Sequence, residues 1–265
     1  MPKFCANLTM LYNEHDFPNR FAAARADGFA GVEFMFPYAF PKERLAQELA
    51  RNGLKQVLHN LPAGNWDGGE RGIAVLPDRV GEFQDGVGRA IEYAQALGCP
   101  QVNCLAGLTP QGVDADRIRR TLVDNLRFAA EHLQKAGIKL LVEPVNSKDI
   151  PGFHLDRVEK AVAVLDEVGS PNIFLQYDLY HQQRMGGELL TTFRALKQRI
   201  AHVQLADNPG RNEPGTGEIN YPFLFESLDG EGYAGWIGCE YKPKSTTSAG
   251  LGWAAKYLRA PAYAN

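Results

Sequence analysis

Apolar runs of strand length alternate along the chain with longer stretches whose apolar residues recur at helical period, and the alternation continues from end to end. The strand-like runs are FCANLTM (4–10), GVEFMF (31–36), KQVLHNL (55–61), QVNCLAG (101–107), IKLLVEP (138–144), IFLQYDLYH (173–181), IAHVQLAD (200–207) and GWIGCEYKP (235–243). Between them, Ile118, Leu122, Leu126, Ala129 and Leu133 step by four, four, three and four, which draws one apolar stripe down a helix. Asp114 ahead of the stripe suits an N-cap, and Gly137 behind it suits a C-terminal stop. Leu155, Val158, Val162, Leu165 and Val168 repeat the pattern up to Gly169. PKERLAQELARNG opens on a proline and closes on a glycine, the asymmetry of a complete helix.

Eight strand–helix units in 265 residues match the size of a closed (β/α)8 TIM barrel of α/β class. An open doubly wound sheet is the competing arrangement, but no linker or break in composition divides the chain. The reading is therefore one barrel domain over residues 1–258, with RAPAYAN (259–265) as a loosely held tail. The glycine-rich segment NLPAGNWDGGERGIAVLPDR (60–79) follows the third strand, where a barrel places loops over its catalytic face.

Composition narrows the function classes. Apolar residues at 45% fill a large core, and a net charge of −3 offers no overall electrostatic grip on nucleic acid or an acidic membrane surface. No run reaches the length of a membrane span, and the N-terminal MPKFCANLTMLYNEHDF reads as no signal peptide. The four cysteines form no C-x-x-C pair, which fits a reduced, cytoplasmic setting. A small-molecule partner is expected, and a homo-oligomer is allowed.

Candidate chemistry gathers at the ends of the last four strands. Glu143 ends the fifth, Asp178 the sixth and Glu240 the eighth, while Gln204 shares one face of the seventh with His202 and Ala206. Three carboxylates at one half-buried rim repel one another, and a divalent cation removes that conflict. Oxygen donors suit Mg2+ or Mn2+ better than zinc. EPGTGEIN (213–220) lacks the Lys-Ser/Thr ending and the strand–loop–helix spacing of a phosphate loop, so no nucleotide cofactor is expected.

The segments ANLTMLY (6–12), GVEFMFPY (31–38), LHNLPAGNWDGGERGIA (58–74), EPVNSKDIPGFHL (143–155), QYDLYHQQRM (176–185), HVQLADNPGRNEPGTGEINY (202–221) and GWIGCEYKP (235–243) resemble the hydroxypyruvate isomerase family of xylose-isomerase-like barrels. The likeness covers nearly the whole chain. It implies Glu143, Asp178, Gln204 and Glu240 as metal ligands and the two glutamates as proton donor and acceptor. It also implies interconversion of hydroxypyruvate and 2-hydroxy-3-oxopropanoate through an enediolate, a reaction of glyoxylate metabolism. Wider sugar-epimerase relatives carry a histidine where this chain has Gln204.

The implied substrate carries a carboxylate, which calls for a cation. Arg71, Arg211 and Lys242 are the candidates, with Lys242 on the strand face of Glu240. His59 and His181 are placed to polarise a substrate oxygen, and Glu70 and Asn103 to line the site. His15, His132, His154 and His202 are read as structural. The competing functions are a four-carbon 2-oxo-tetronate isomerase, an endonuclease IV-like nuclease and a non-catalytic sugar-binding barrel. The nuclease type needs many histidines and a basic groove, and this chain has six scattered histidines and a negative total.

Overall fold

The computed structural model describes residues 1–258, so the reading of 259–265 as a loose tail lies outside the described residues. Each strand-like run forms a strand: β1 (Lys3–Asn7), β2 (Gly31–Glu33), β3 (Lys55–Asn60), β4 (Gln101–Cys104), β5 (Lys139–Val142), β6 (Ile173–Asp178), β7 (Ile200–Leu205) and β8 (Trp236–Cys239). They pair in parallel in chain order, and β1 closes on β8 with Cys5 opposite Gly238. That last pairing excludes the open sheet. The intervening helices are α1 (Phe17–Ala26), α2 (Lys42–Asn52), α3 (Val80–Leu97), α4 (Ala115–Lys135), α5 (Val158–Val168), α6 (Leu179–Met185), α7 (Leu189–Leu196) and α8 (Tyr221–Gly230).

The helical stripes face the barrel as their spacing predicts. Ile118, Leu122, Leu126, Ala129 and Leu133 are all buried on α4. The Asp114 carboxylate accepts the Arg117 N–H at 2.9 Å, a cap that contributes about 1 kcal/mol. Gly137 follows the helix with φ of 75°, the left-handed stop that a side chain would strain. α5 begins at Val158 and not at Leu155, which is buried ahead of the helix and accepts the Val145 N–H on its carbonyl.

The strands are shorter than their apolar runs, and every run loses residues at its C-terminal end. In the sixth run the switch has a visible cause. The Asp178 carboxylate accepts the N–H groups of Tyr180 and His181 at 2.7 and 3.3 Å, so it caps α6 and turns LYH from strand into helix.

Side chains alternate in and out along each strand, and the inner face changes character along the barrel axis. Toward the N-terminal ends, Cys5, Leu141, Phe174 and Trp236 belong to a small apolar cluster separate from the main core. Two residues further along the same strands stand Asn7, Glu143, Gln176 and Gly238, then Asp178 and Glu240. The glycine-rich segment is tied to the barrel by backbone. Gly72 donates its N–H to Ala63 O at 3.0 Å, and a Cβ at Gly72 would lie 2.1 Å from Leu105 O. Gly107 meets Gly72 as closely from the other side, a Cβ there falling 2.3 Å from Gly72 O.

Candidate active site

A cavity of about 580 Å³ opens at the C-terminal mouth of the barrel, with Glu143, Glu240, His181, Arg211, Arg71 and Lys242 among its lining residues. Glu143 and Glu240 each stand one residue beyond their strands, and Asp178 closes β6. One ligand atom from each of Glu143, Asp178, His181 and Glu240 lies within 4.8 Å of the others, and all four residues are buried. Asp178 Oδ2 is buried with no hydrogen-bond partner. A buried carboxylate oxygen left bare is costly unless something else meets it.

The crowding shows in the proton affinities. Burial, and then the charges of Glu240 and Asp178, push Glu143 well above the usual carboxylate range. Burial likewise lifts Glu240 to about 7, with Asp178 and Glu33 adding to it and the Arg211 guanidinium opposing. Burial lifts Asp178 as well, against Arg211 and the N–H groups it caps. Three raised carboxylates around a bare oxygen are the donor set that a hard divalent cation fits.

His181 enters the cluster in one tautomer. Its Nδ1 accepts from Asn146 Nδ2 at 2.7 Å, and Asn146 is oriented by Asp149, whose N–H it accepts at 2.8 Å and whose carboxylate it meets at 3.1 Å. Burial and the nearby Arg211 and Arg184 hold the ring well below the usual histidine range, hence neutral. The single ring proton then sits on Nε2, which faces Asp178 at 3.7 Å and Glu143 at 3.8 Å. His181 offers a proton to this cluster, not a lone pair.

Gln204 is the strand partner of Asp178. Its Nε2 donates to Glu33 Oε1 at 2.8 Å, and its Oε1 accepts from Gln176 Nε2 at 2.5 Å. Arg211, on the β7–α8 loop, is the cation nearest the carboxylates. It donates to Glu240 Oε2 at 2.6 Å, its guanidinium lies 5.3 Å from the centre of the Tyr180 ring, and its backbone takes a φ of 54°. Arg71 lines the mouth with its guanidinium 4.3 Å over the Trp66 ring, donating to the carbonyls of Trp66 and Glu70. Lys242 lines it as an exposed side chain. Asn103 is fully buried and donates to Glu143 Oε2 at 3.1 Å.

Two expected lining residues are directed elsewhere. His59 sets its ring edge-on to Tyr38, with Nδ1 3.4 Å from the Tyr38 hydroxyl, and the next residue, Asn60, lines the cavity instead. Burial lowers the His59 ring to about 4, so it stays neutral. Glu70 is used up inside its own loop, where it accepts the Asn65 N–H and pairs with Arg79.

The family model described as xylose isomerase-like TIM barrel matches residues 21–260. The chain belongs to that family. Among its xylose isomerase-like relatives, the hydroxypyruvate isomerase of Escherichia coli (strain K12) is 54% identical, over 97% of this chain and 100% of its own. The 2-oxo-tetronate isomerase of Cupriavidus necator is 48% identical, over 97% of this chain and 99% of its own. A solved structure titled AP endonuclease, family 2, from Brucella melitensis superposes with a TM-score of 0.95 at 44% identity, covering 98% of this chain and 100% of that one.

Several side chains that the sequence does not single out touch the predicted set at the mouth. Asn7 donates to Glu240 Oε1 at 3.3 Å, Gln176 donates to Gln204, and the Tyr180 ring lies 5.3 Å from the Arg211 guanidinium. Glu33 is the one with a readable signal, a carboxylate inside the apolar run GVEFMF, as Glu143 is inside IKLLVEP.

Proposed function

We propose that the protein is a hydroxypyruvate isomerase that works with a divalent cation, Mg2+ or Mn2+. The observation that carries the reading is the buried pair Glu143 and Glu240, with carboxylate oxygens within 4.8 Å of each other and of one from Asp178, whose Oδ2 has no hydrogen-bond partner. The 54% identity to the Escherichia coli hydroxypyruvate isomerase supports the choice of substrate. Glu143, Asp178, Glu240 and the oxygen of Gln204 are the residues that would hold the cation. When bound, it supplies Lewis-acid stabilisation for charge developing on the substrate oxygens.

The chain's own residues then account for the proton movements. One glutamate removes a proton from C3 of hydroxypyruvate and the other returns one to C2, while the hydroxyl proton passes from O3 to O2. His181 donates its Nε2 proton to a substrate oxygen, and Arg211 holds Glu240 in place. Arg71 and Lys242, at the wider mouth, face the substrate carboxylate.

A second reading is favoured by the size of the cavity. About 580 Å³ leaves room beyond a three-carbon acid, and the Cupriavidus necator relative is a 2-oxo-tetronate isomerase. A nuclease is disfavoured by the single histidine in the carboxylate cluster and by the net charge of −3. Turnover of hydroxypyruvate, 2-oxo-tetronate and an abasic-site DNA duplex, each with Mg2+ or Mn2+, separates the three. Greater efficiency on hydroxypyruvate than on the four-carbon acid upholds the proposal, and the reverse order replaces it.

A further inference from the structure

Beneath the mouth lies a carboxylate that the proton transfers do not use. Glu33, the last residue of β2, is 1% exposed and accepts hydrogen bonds from two other strands. Cys5 Sγ and Asn7 Nδ2 approach from β1 at 3.5 and 3.0 Å, and His202 Nε2 and Gln204 Nε2 from β7 at 2.7 and 2.8 Å. Space for it comes from β8, where a Cβ on Gly238 would lie 2.4 Å from Glu33 Oε1.

Two of those four donors continue to the mouth. Asn7 Nδ2 also reaches Glu240 Oε1, and its own oxygen is held by the Thr9 N–H at 3.1 Å, so the amide has one orientation. Gln204 is fixed from the other side. The end torsion of a glutamine is broad and roughly two-fold, so an unrestrained amide presents nitrogen or oxygen with little preference. With nitrogen forward it offers a cation no lone pair. Because Nε2 is taken by Glu33, the oxygen is left for the other side, beside Gln176. Glu33 is thus joined to Glu240 through Asn7 and to Gln176 through Gln204.

We propose that Glu33 is a positioning residue, which turns the Gln204 oxygen toward the metal and, through Asn7, holds Glu240 in register. The inference rests on the isomerase reading of the mouth. The competing account is that Glu33 only satisfies buried donors and keeps the barrel folded. Glu33→Gln separates the two, because it keeps the volume while setting an amide N–H against a ring of donors.

The experiment is Mn2+ titration of metal-free protein by calorimetry, with kcat and KM on hydroxypyruvate measured alongside. Folded Glu33→Gln should lose Mn2+ affinity by roughly 10–100-fold, the range seen when a ligand's supporting partner is removed. Its kcat should fall with little change in KM. Gln204→Glu offers oxygen at either end of the side chain, so in that background Glu33→Gln should cost less Mn2+ affinity than in the wild type, the remainder passing through Asn7 and Glu240. Wild-type affinity and kcat in Glu33→Gln, or the same loss in both backgrounds, would overturn the proposal. If Glu33→Gln does not fold, Glu33→Asp keeps the charge but withdraws it by one methylene; it too should lose affinity, and wild-type affinity there is equally fatal. If the wild-type protein itself binds no Mn2+, the metal reading has failed. Glu33 is then judged by a crystal structure of Glu33→Gln, where unmoved Glu240 and Gln204 side chains refute it.

Discussion

Glu33 and Asp178 both lie on the inner face of the barrel, at 1% and 3% exposure, yet they stand in opposite circumstances. Glu33 is surrounded by donors, and although burial pushes its proton affinity up, His202 and the hydrogen bonds from Gln204 and Asn7 bring it below the usual carboxylate range. Asp178, a short distance up the barrel, keeps one oxygen bare beside two further carboxylates, and all three are pushed up. The same chemical group at the same depth is closed off in one place and left wanting in the other. Full satisfaction marks a fixed support, and the deficit marks where a ligand is to be received.

The largest test of that contrast is removal of the cation. Treatment with EDTA should reduce isomerase activity to background, with Mg2+ or Mn2+ restoring it. Full activity in demonstrably metal-free protein would mean the deficit at the mouth serves something else. Next come Glu143→Gln and Glu240→Gln, each expected to lower turnover about a thousandfold with an unchanged circular dichroism spectrum. Near-normal turnover in either removes that residue from proton transfer.

A subtler test uses acidity. A carboxylate whose proton affinity is raised by folding makes the metal-free native state less stable as pH climbs from the unfolded value through the folded one. A bound cation cancels that penalty. Mn2+ should therefore raise the unfolding temperature more at pH 8 than at pH 5; equal increments at both would contradict the crowding. The smallest effects are expected at the wider mouth, away from the carboxylate cluster. Lys242→Met and Arg71→Met should raise KM by a few-fold, in keeping with the modest worth of exposed ion pairs. An unchanged KM in either takes that residue out of substrate binding.

Much of this was visible in the chain because periodicity reports burial directly. The eight runs and the α4 stripe needed no tertiary information, and Glu143 drew notice as a carboxylate in an apolar run. Glu33 carries the same signal in GVEFMF, but the room for its carboxylate depends on Gly238, some two hundred residues away. The choice of Asn60 over His59 turns on the phase of β3, and the β2–β3 register shifts at Val32/Glu33, which periodicity cannot foresee. Arg211 is one of three cations that the sequence offers for the substrate carboxylate. Its standing beside Glu240 comes from a loop conformation with positive φ that no spacing encodes. Glu70 was misdirected for a local reason, since its partners Asn65 and Arg79 lie within its own loop.

The meeting of Gly72 with Leu105 and Gly107 has a mechanical consequence. The loop is pinched shut at its neck by the Ala63–Gly72 hydrogen bond, and that neck is pressed backbone to backbone against its neighbour. Swinging as a broad flap would break that hydrogen bond and part the two backbones. Any gating at this side of the entrance is left to the short tongue between, residues 64–71, which carries Trp66 and Arg71 on an immovable root.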